Sequence, residues 1–261
     1  MADVSIYWFR DDLRLTDLPG LAAAAQAGPV IPVFVRDPGL GDTWRIGSAS
    51  QWWLHHSLLS LFTRLAETGL DLILKSGETV AALTTLAEQT GATTVYCSRH
   101  YQPWSAGLET ALRGQLSNKG VELKRYPGTL LHEPEDVATV SGTPFKVFTP
   151  FWRACNRRPQ PHQPLPAPEL TAYDGKIDSE ELCDWQLLPT SPNWASGWDD
   201  LWSPGEVGAR AALNQFLDHH VQDYGDGRDV PAEPNTSKLS PYLRFGNISP
   251  RQVWHAAQQS K

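Results

Sequence analysis

The residues best equipped to hold a ligand lie near the end of this 261-residue chain, in Asn235-Thr236-Ser237-Lys238-Leu239-Ser240. Thr236, Ser237 and Ser240 offer hydroxyls and Lys238 an ammonium, beside the start of a helical pattern. Hydroxyls, backbone N–H groups and positive charge at a helix start suit a phosphate or diphosphate. A plain helix cap beside a solvated lysine uses the same residues, and residue chemistry alone leaves these two readings level. A second concentration is Arg10-Asp11-Asp12-Leu13-Arg14-Leu15-Thr16-Asp17. Its charges either ring a ligand at a strand end or neutralise one another and anchor the loop. Mutual neutralisation is the favoured reading.

Several familiar chemistries are excluded. The first strand runs into this charged segment and not into a Gly-rich turn. Gly39 and Gly41 after the second strand lack the third glycine of a dinucleotide fingerprint. No GxxxxGK[ST] phosphate loop occurs. His55-His56 and His219-His220 are adjacent pairs. Neighbours on a helix point about 100° apart, so neither pair shares one metal easily. Ser and His have no hydrolase motif around them. Neither a metal shared by these histidines nor a Ser-His-Asp set is expected.

The elements that must position these residues follow from periodicity. Apolar runs at 5–9, 30–35, 70–74, 94–98 and 121–126 read as buried strands. Between them, Leu54, Leu58, Leu61 and Leu65 fall on one helical face, as do Leu108, Leu112 and Leu116. The segment 18–27 is Ala-rich and helical. Strands and helices taking turns predict an α/β fold with a five-stranded parallel, doubly wound sheet. From Pro159 to Pro168 five of ten residues are proline, and 171–205 has little periodicity. This reads as a long connector pinned by Trp185, Trp194, Trp198 and Trp202. Helical pattern returns at Glu206, with Leu213, Leu217 and Val221 on one face. Ser249-Pro250 reads as an N-cap and a first helical residue. The last ~60 residues carry apolar faces with few evident partners, so loose order is expected there.

Composition sets the remaining bounds. No apolar run approaches a membrane span, and the N-terminus lacks a secretory signal. Cys97, Cys155 and Cys183 are far apart and odd in number, as in a reduced compartment. A cytoplasmic monomer is expected. The net charge of −7 excludes a uniformly basic nucleic-acid glove but allows a local basic patch.

Four segments in order carry a resemblance to the photolyase/cryptochrome family, covering its N-terminal half. Tyr7-Trp8-Phe9-Arg10-Asp11-Asp12-Leu13-Arg14-Leu15-Thr16-Asp17 is similar to the family's first strand and loop. Phe148-Thr149-Pro150-Phe151-Trp152-Arg153 resembles its pre-linker motif. Trp202-Ser203-Pro204-Gly205-Glu206-Val207-Gly208-Ala209 resembles the start of its helical domain. Tyr224, Arg228-Asp229 and 236–246 resemble the beginning of its flavin site.

The resemblance implies three regions: an antenna domain over 1–132, a connector over 133–203, and an incomplete FAD-binding helical domain over 204–261. It implies light-driven repair of cyclobutane pyrimidine dimers in UV-damaged DNA by electron transfer from reduced FAD. Tyr224, Thr236, Ser237, Lys238, Leu239 and Ser240 are the implied FAD contacts, and Arg228 the implied DNA-backbone contact. An antenna chromophore is implied as well. Tyr101-Gln102-Pro103-Trp104-Ser105 lacks the glutamate of folate-binding members, which disfavours folate and leaves a deazaflavin, a flavin or an empty pocket. Most of the family's helical domain has no counterpart here, so the chain alone is expected not to repair dimers. A cryptochrome-like photoreceptor and a stand-alone α/β binding domain are the alternatives.

Overall fold

The computed structural model describes residues 3–39 and 45–260; Gly41, noted above beside the second strand, lies outside them. Five parallel strands form one sheet in the order β3-β2-β1-β4-β5. They are β1 (Ser5–Phe9), β2 (Val30–Arg36), β3 (Ile73–Ser76), β4 (Thr94–Ser98) and β5 (Glu122–Tyr126). The helices between them are α1 (Pro19–Ala27), α2 (Ser48–Ala66), α3 (Thr79–Thr90) and α4 (Ser105–Ser117). The doubly wound α/β reading thus holds. The third strand begins three residues later than expected, because Leu70 and Leu72 are core residues of the approach and not of the ladder.

β1 is buried at every position, as a central parallel strand covered on both faces must be. Its side chains alternate between two cores. Tyr7 and Phe9 join α1 and α2, while Ile6 and Trp8 join Leu83, Leu86, Leu112 and Leu116 of α3 and α4. The strand order reverses between β1 and β4, so the carboxyl ends of these two strands flank the crevice where such sheets place ligands.

The connector carries α5 (Phe148–Asn156) and then returns along the sheet. Val30 N–H donates to Thr171 O, and Glu180 N–H donates to Leu74 O. Trp185 is buried in the larger core, and Trp198 and Trp202 pack against it. Trp194 remains partly exposed and meets Trp198 edge-on at 5.1 Å. The tryptophans therefore pin the connector as the sequence implies.

The C-terminal helices are α6 (Trp198–Leu201), α7 (Glu206–His219), α8 (Tyr224–Gly227), α9 (Ser240–Arg244) and α10 (Pro250–Gln259). The expectation that their apolar faces lack partners fails. Ala209, Leu213, Leu239, Tyr242, Phe245 and Ile248 join the same core as β1 and α2. Ser249 closes a capping box with Gln252, as the Ser-Pro pair foretells. Only the stretch from about Gln222 to Asn235 lies almost wholly on the surface.

Candidate functional site

The charged loop after β1 does two jobs with its two faces. Its inner face is a clamp. Arg14, almost wholly buried, donates from Nε to Thr16 O and from Nη1 to Gly246 O. Its Nη2 reaches both Asp17 O and Gly128 O. Asp17 accepts from Ser249 Oγ at 2.5 Å and pairs with Arg251 at 3.0 Å. Glu206, at the start of α7, accepts from Leu15 N–H at 3.0 Å and from the Thr16 hydroxyl. Buried charges need such partners, because an unpaired one costs several kcal/mol. Neutralisation and anchoring therefore describe this face.

Residues 245–247 complete the clamp. Leu13 N–H donates to Phe245 O at 3.1 Å, and Asn247 Nδ2 donates to Leu13 O at 3.2 Å. Asn247 Oδ1 accepts from Trp53 Nε1 and Ser57 Oγ. Gly246 has φ +64°, and a Cβ there would collide with the backbone of Asp11 and Asp12. Only glycine fits both demands.

The outer face lines a cavity of about 610 Å³ at the carboxyl ends of β1, β2 and β4. Trp8, Phe34, Leu54 and Trp104 give it apolar walls, and Arg10, Asp11, Arg36, Asp37, Arg45, His100 and Arg244 give it charge. Arg10 reaches Glu109 at 2.8 Å and lies over the Trp8 ring at 4.4 Å. Burial alone would raise the Glu109 carboxyl; Arg10 and Arg125 hold it below the ordinary range. Asp11 accepts from His100 and Arg244, at 2.8 and 2.7 Å. Burial works against its charge, and these two partners still hold its carboxyl low. Asp37 accepts from Thr79 N–H and Oγ1, so it already occupies the start of α3. Sequence reasoning reached this cavity only in part, through the charged segment at the end of β1 and the 101–105 loop. Its only signals were strand ends rich in Arg and Asp, scattered over 8–11, 36–37 and 100–104.

The phosphate-cradle residues fall on the surface beside the clamp. Thr236, Lys238 and Ser240 are exposed, and Ser237 Oγ accepts from Leu239 N–H at 3.4 Å. Lys238 has a left-handed backbone, φ +51°. Leu239 is buried in the core, so only its backbone can face a ligand. Tyr224 is partly exposed and meets Phe216 edge-on at 5.6 Å. A Cβ on Gly227 would sit 2.7 Å from Asn235, so α8 packs on the start of the cradle. Arg228 is exposed, 3.7 Å from Asp229. The structure thus brings α8 and the cradle together and leaves their hydroxyls and cations open to a polyanion.

The histidine pairs form no metal centre. Burial lowers both His55 and His56, and the described residues contain no cluster of three potential metal ligands. Among them, too, no helix is long and apolar enough to cross a membrane.

The DNA photolyase family model matches residues 5–169. Deoxyribodipyrimidine photo-lyase of Agrobacterium fabrum is 46% identical over 97% of this chain and 53% of its own length. Cryptochrome-1 of Arabidopsis thaliana is 36% identical over 96% of this chain and 37% of its own length. Among solved structures, a bacterial class III photolyase from Agrobacterium tumefaciens superposes with a TM-score of 0.93 at 45% identity. It is matched over 98% of this chain and 53% of that one. The chain spans about half the length of the first of these curated relatives and less of the second.

Proposed function

The chain belongs to the DNA photolyase family, and from that premise we propose that it is the N-terminal part of a light-dependent deoxyribodipyrimidine photolyase. Its substrate is a UV-induced cyclobutane pyrimidine dimer in DNA. The observation that carries this reading is the meeting of the family segment 10–17 with residues 245–249, at the end of the family segment 236–246, in one buried clamp. The higher identity to a photolyase than to a cryptochrome supports repair over signalling.

Reduced FAD, when bound and excited, supplies the electron that splits the dimer. The chain's own residues hold and orient it. Thr236, Ser237, Lys238 and Ser240 fit its diphosphate through hydroxyls, an ammonium and backbone N–H groups, with Leu239 as the anchor. Tyr224, partly exposed on α8, is the further proposed contact. Arg228 meets a DNA phosphate, which gives affinity without sequence readout.

The cavity beside β1 and β4 is proposed as the seat of the antenna chromophore. Its aromatic walls suit a flat conjugated ring, and Arg36, Arg45 and Arg244 suit an acidic tail, as in a flavin or deazaflavin. A reduced compartment, the cytoplasm, is proposed from its scattered free cysteines.

The test is illumination of an oligonucleotide carrying a thymine dimer. The chain alone is expected to leave dimers intact. A protein completed to the length of its relatives is expected to restore thymines under near-UV light when loaded with FAD. A flavin-loaded protein that leaves dimers unrepaired refutes the reading. Lys238→Glu is expected to weaken FAD retention up to about fivefold, the ~1 kcal/mol of an exposed ion pair; unchanged retention refutes the phosphate seat.

A further inference from the structure

Asp11 stands where the cavity beside β1 meets the C-terminal segment. Its Oδ2 accepts from His100 Nε2 at 2.8 Å and from Gln102 Nε2 at 3.2 Å, both in the loop after β4. Its Oδ1 pairs with Arg244 Nη1 at 2.7 Å, at the end of α9. All four residues line the cavity. Burial works against the Asp11 charge, yet His100 and Arg244 hold its carboxyl below the ordinary range, so it is ionised at neutral pH.

The charges of this cavity are not equally available to a ligand. Among the described residues, four arginines and two aspartates line it. Arg10 is paired with buried Glu109. Asp37 is occupied by Thr79. Arg36 donates from Nη1 to the Trp185 carbonyl at 2.8 Å, a neutral partner that leaves its charge in place. Arg244 differs from these. Its side chain is 43% exposed and can reach a ligand, but Asp11 cancels its charge. A cation matched to a carboxylate attracts a third, anionic group far less than a bare cation does, because attraction to one is offset by repulsion from the other.

We propose that Asp11 is a specificity-determining residue of the cavity: by cancelling Arg244 it withholds one cation from a phosphorylated tail and leaves a hydroxylated tail unaffected. This rests on the chromophore seat proposed above and deepens it. His100 and Gln102 make the device stable. They fix Oδ2 in place, so a phosphate drawn toward Arg244 meets the Asp11 carboxylate as well.

The experiment is equilibrium dialysis of tritiated riboflavin with the full chain at pH 8 and low salt, with FMN as the competitor. The two probes share one ring and differ by a phosphate that is mostly a dianion at this pH. Displacement confines the comparison to the riboflavin site and leaves the cradle at 236–240 out of it. Asp11→Asn is expected to raise the preference for FMN over riboflavin by about fivefold, the upper range of a partly exposed ion pair. Arg244→Gln, which leaves Asp11 uncancelled, is expected to lower it by about as much. The double variant lacks both charges and is expected to return the preference to its wild-type value. Riboflavin alone is expected to bind all four proteins alike. Both shifts are expected to shrink as salt rises, because screening weakens charge effects and leaves packing effects in place. Each single variant carries the test if the other unfolds. Riboflavin binding with a preference that neither single variant shifts overturns the role of Asp11 and leaves the seat standing. So does a double variant that keeps the full shift of Asp11→Asn. Failure of riboflavin to bind any of the four proteins overturns the seat, and this role with it.

Discussion

Replacing Asn247 by alanine tests whether the C-terminal segment is truly locked to the sheet. Asn247 is fully buried and makes three hydrogen bonds to two different elements. Its Oδ1 accepts from Trp53 Nε1 at 3.0 Å and Ser57 Oγ at 3.2 Å, both on α2. Its Nδ2 donates to Leu13 O at 3.2 Å, in the loop after β1. Alanine leaves two donors and one carbonyl without partners in a dry site. At ~1 kcal/mol for each bond, the expected loss is about 3 kcal/mol. That is a large share of the 5–15 kcal/mol typical of a domain. Urea unfolding measures the loss. Native-state hydrogen exchange locates it, with faster exchange expected at Leu243–Val253 and little change in β1 and β4. Ser57→Ala removes only one of the three bonds, and the double variant is expected to cost less than the two single changes together, because the partners are shared. A loss below about 1 kcal/mol with unchanged exchange across 243–253 would refute the lock.

Gly246→Ala is expected to be worse tolerated than any surface glycine change, by about 3 kcal/mol or more, since both the left-handed backbone and the Asp11–Asp12 collision oppose it; thermal melting of the two kinds of variant compares them. Carboxyls held low in the folded state stabilise it above their unfolded pKa, and that stability is lost as pH falls through the folded value. Glu109 and Asp11 are of this kind. Urea midpoints should therefore hold between pH 5 and 7 and decline below the ordinary Glu value of 4.5. Glu109→Gln should lower the midpoint at pH 7 and make the acid decline shallower. The buried Cys97 thiol is pushed up to about 11, first by burial. With Ellman's reagent at pH 8, exposed Cys183 should react first and Cys97 only after denaturation; prompt labelling of all three thiols would contradict that burial.

The sheet was legible because a parallel core strand must be apolar on both faces. Residues 5–9, 30–35 and 94–98 could hardly be anything else. The cavity was legible only in part, at 10–11 and 102–104, since the rest of its lining comes from strand ends and loops far apart in sequence. The docking of 204–260 was hidden for a related reason. Leu213, Tyr242 and Phe245 show an apolar face, but only the folded chain shows that Trp52, Trp53 and the β1 loop receive it. The hydroxyls and the ammonium of 236–240 were visible in the sequence, although side-chain type alone left a phosphate seat and a plain helix cap level. The burial of Leu239 was not, because a single leucine in a polar run has no period to betray it.

The missing glycine-rich turn now has a physical account. In a dinucleotide fold the first helix offers bare N–H groups to a pyrophosphate, and glycines let the ligand approach. Here α1 opens with Pro19, which has no N–H to offer. Asp17, just before it, is fully buried and paired with Ser249 and Arg251. Arg14 fills the same turn and bonds to Gly246 and Gly128. The space a phosphate would take therefore holds the chain's own C-terminal segment. The α3 start is closed as well, by Asp37. A ligand at this sheet has only the outer side left, between Trp8, His100 and Arg244, where side-chain cations and rings do the recognising in place of helix N–H groups. A single loop can serve both partners because its residues divide by face. Arg14 and Asp17 turn inward to the clamp, Asp12 turns to the buried Tyr7 hydroxyl, and Arg10 and Asp11 turn outward to the cavity.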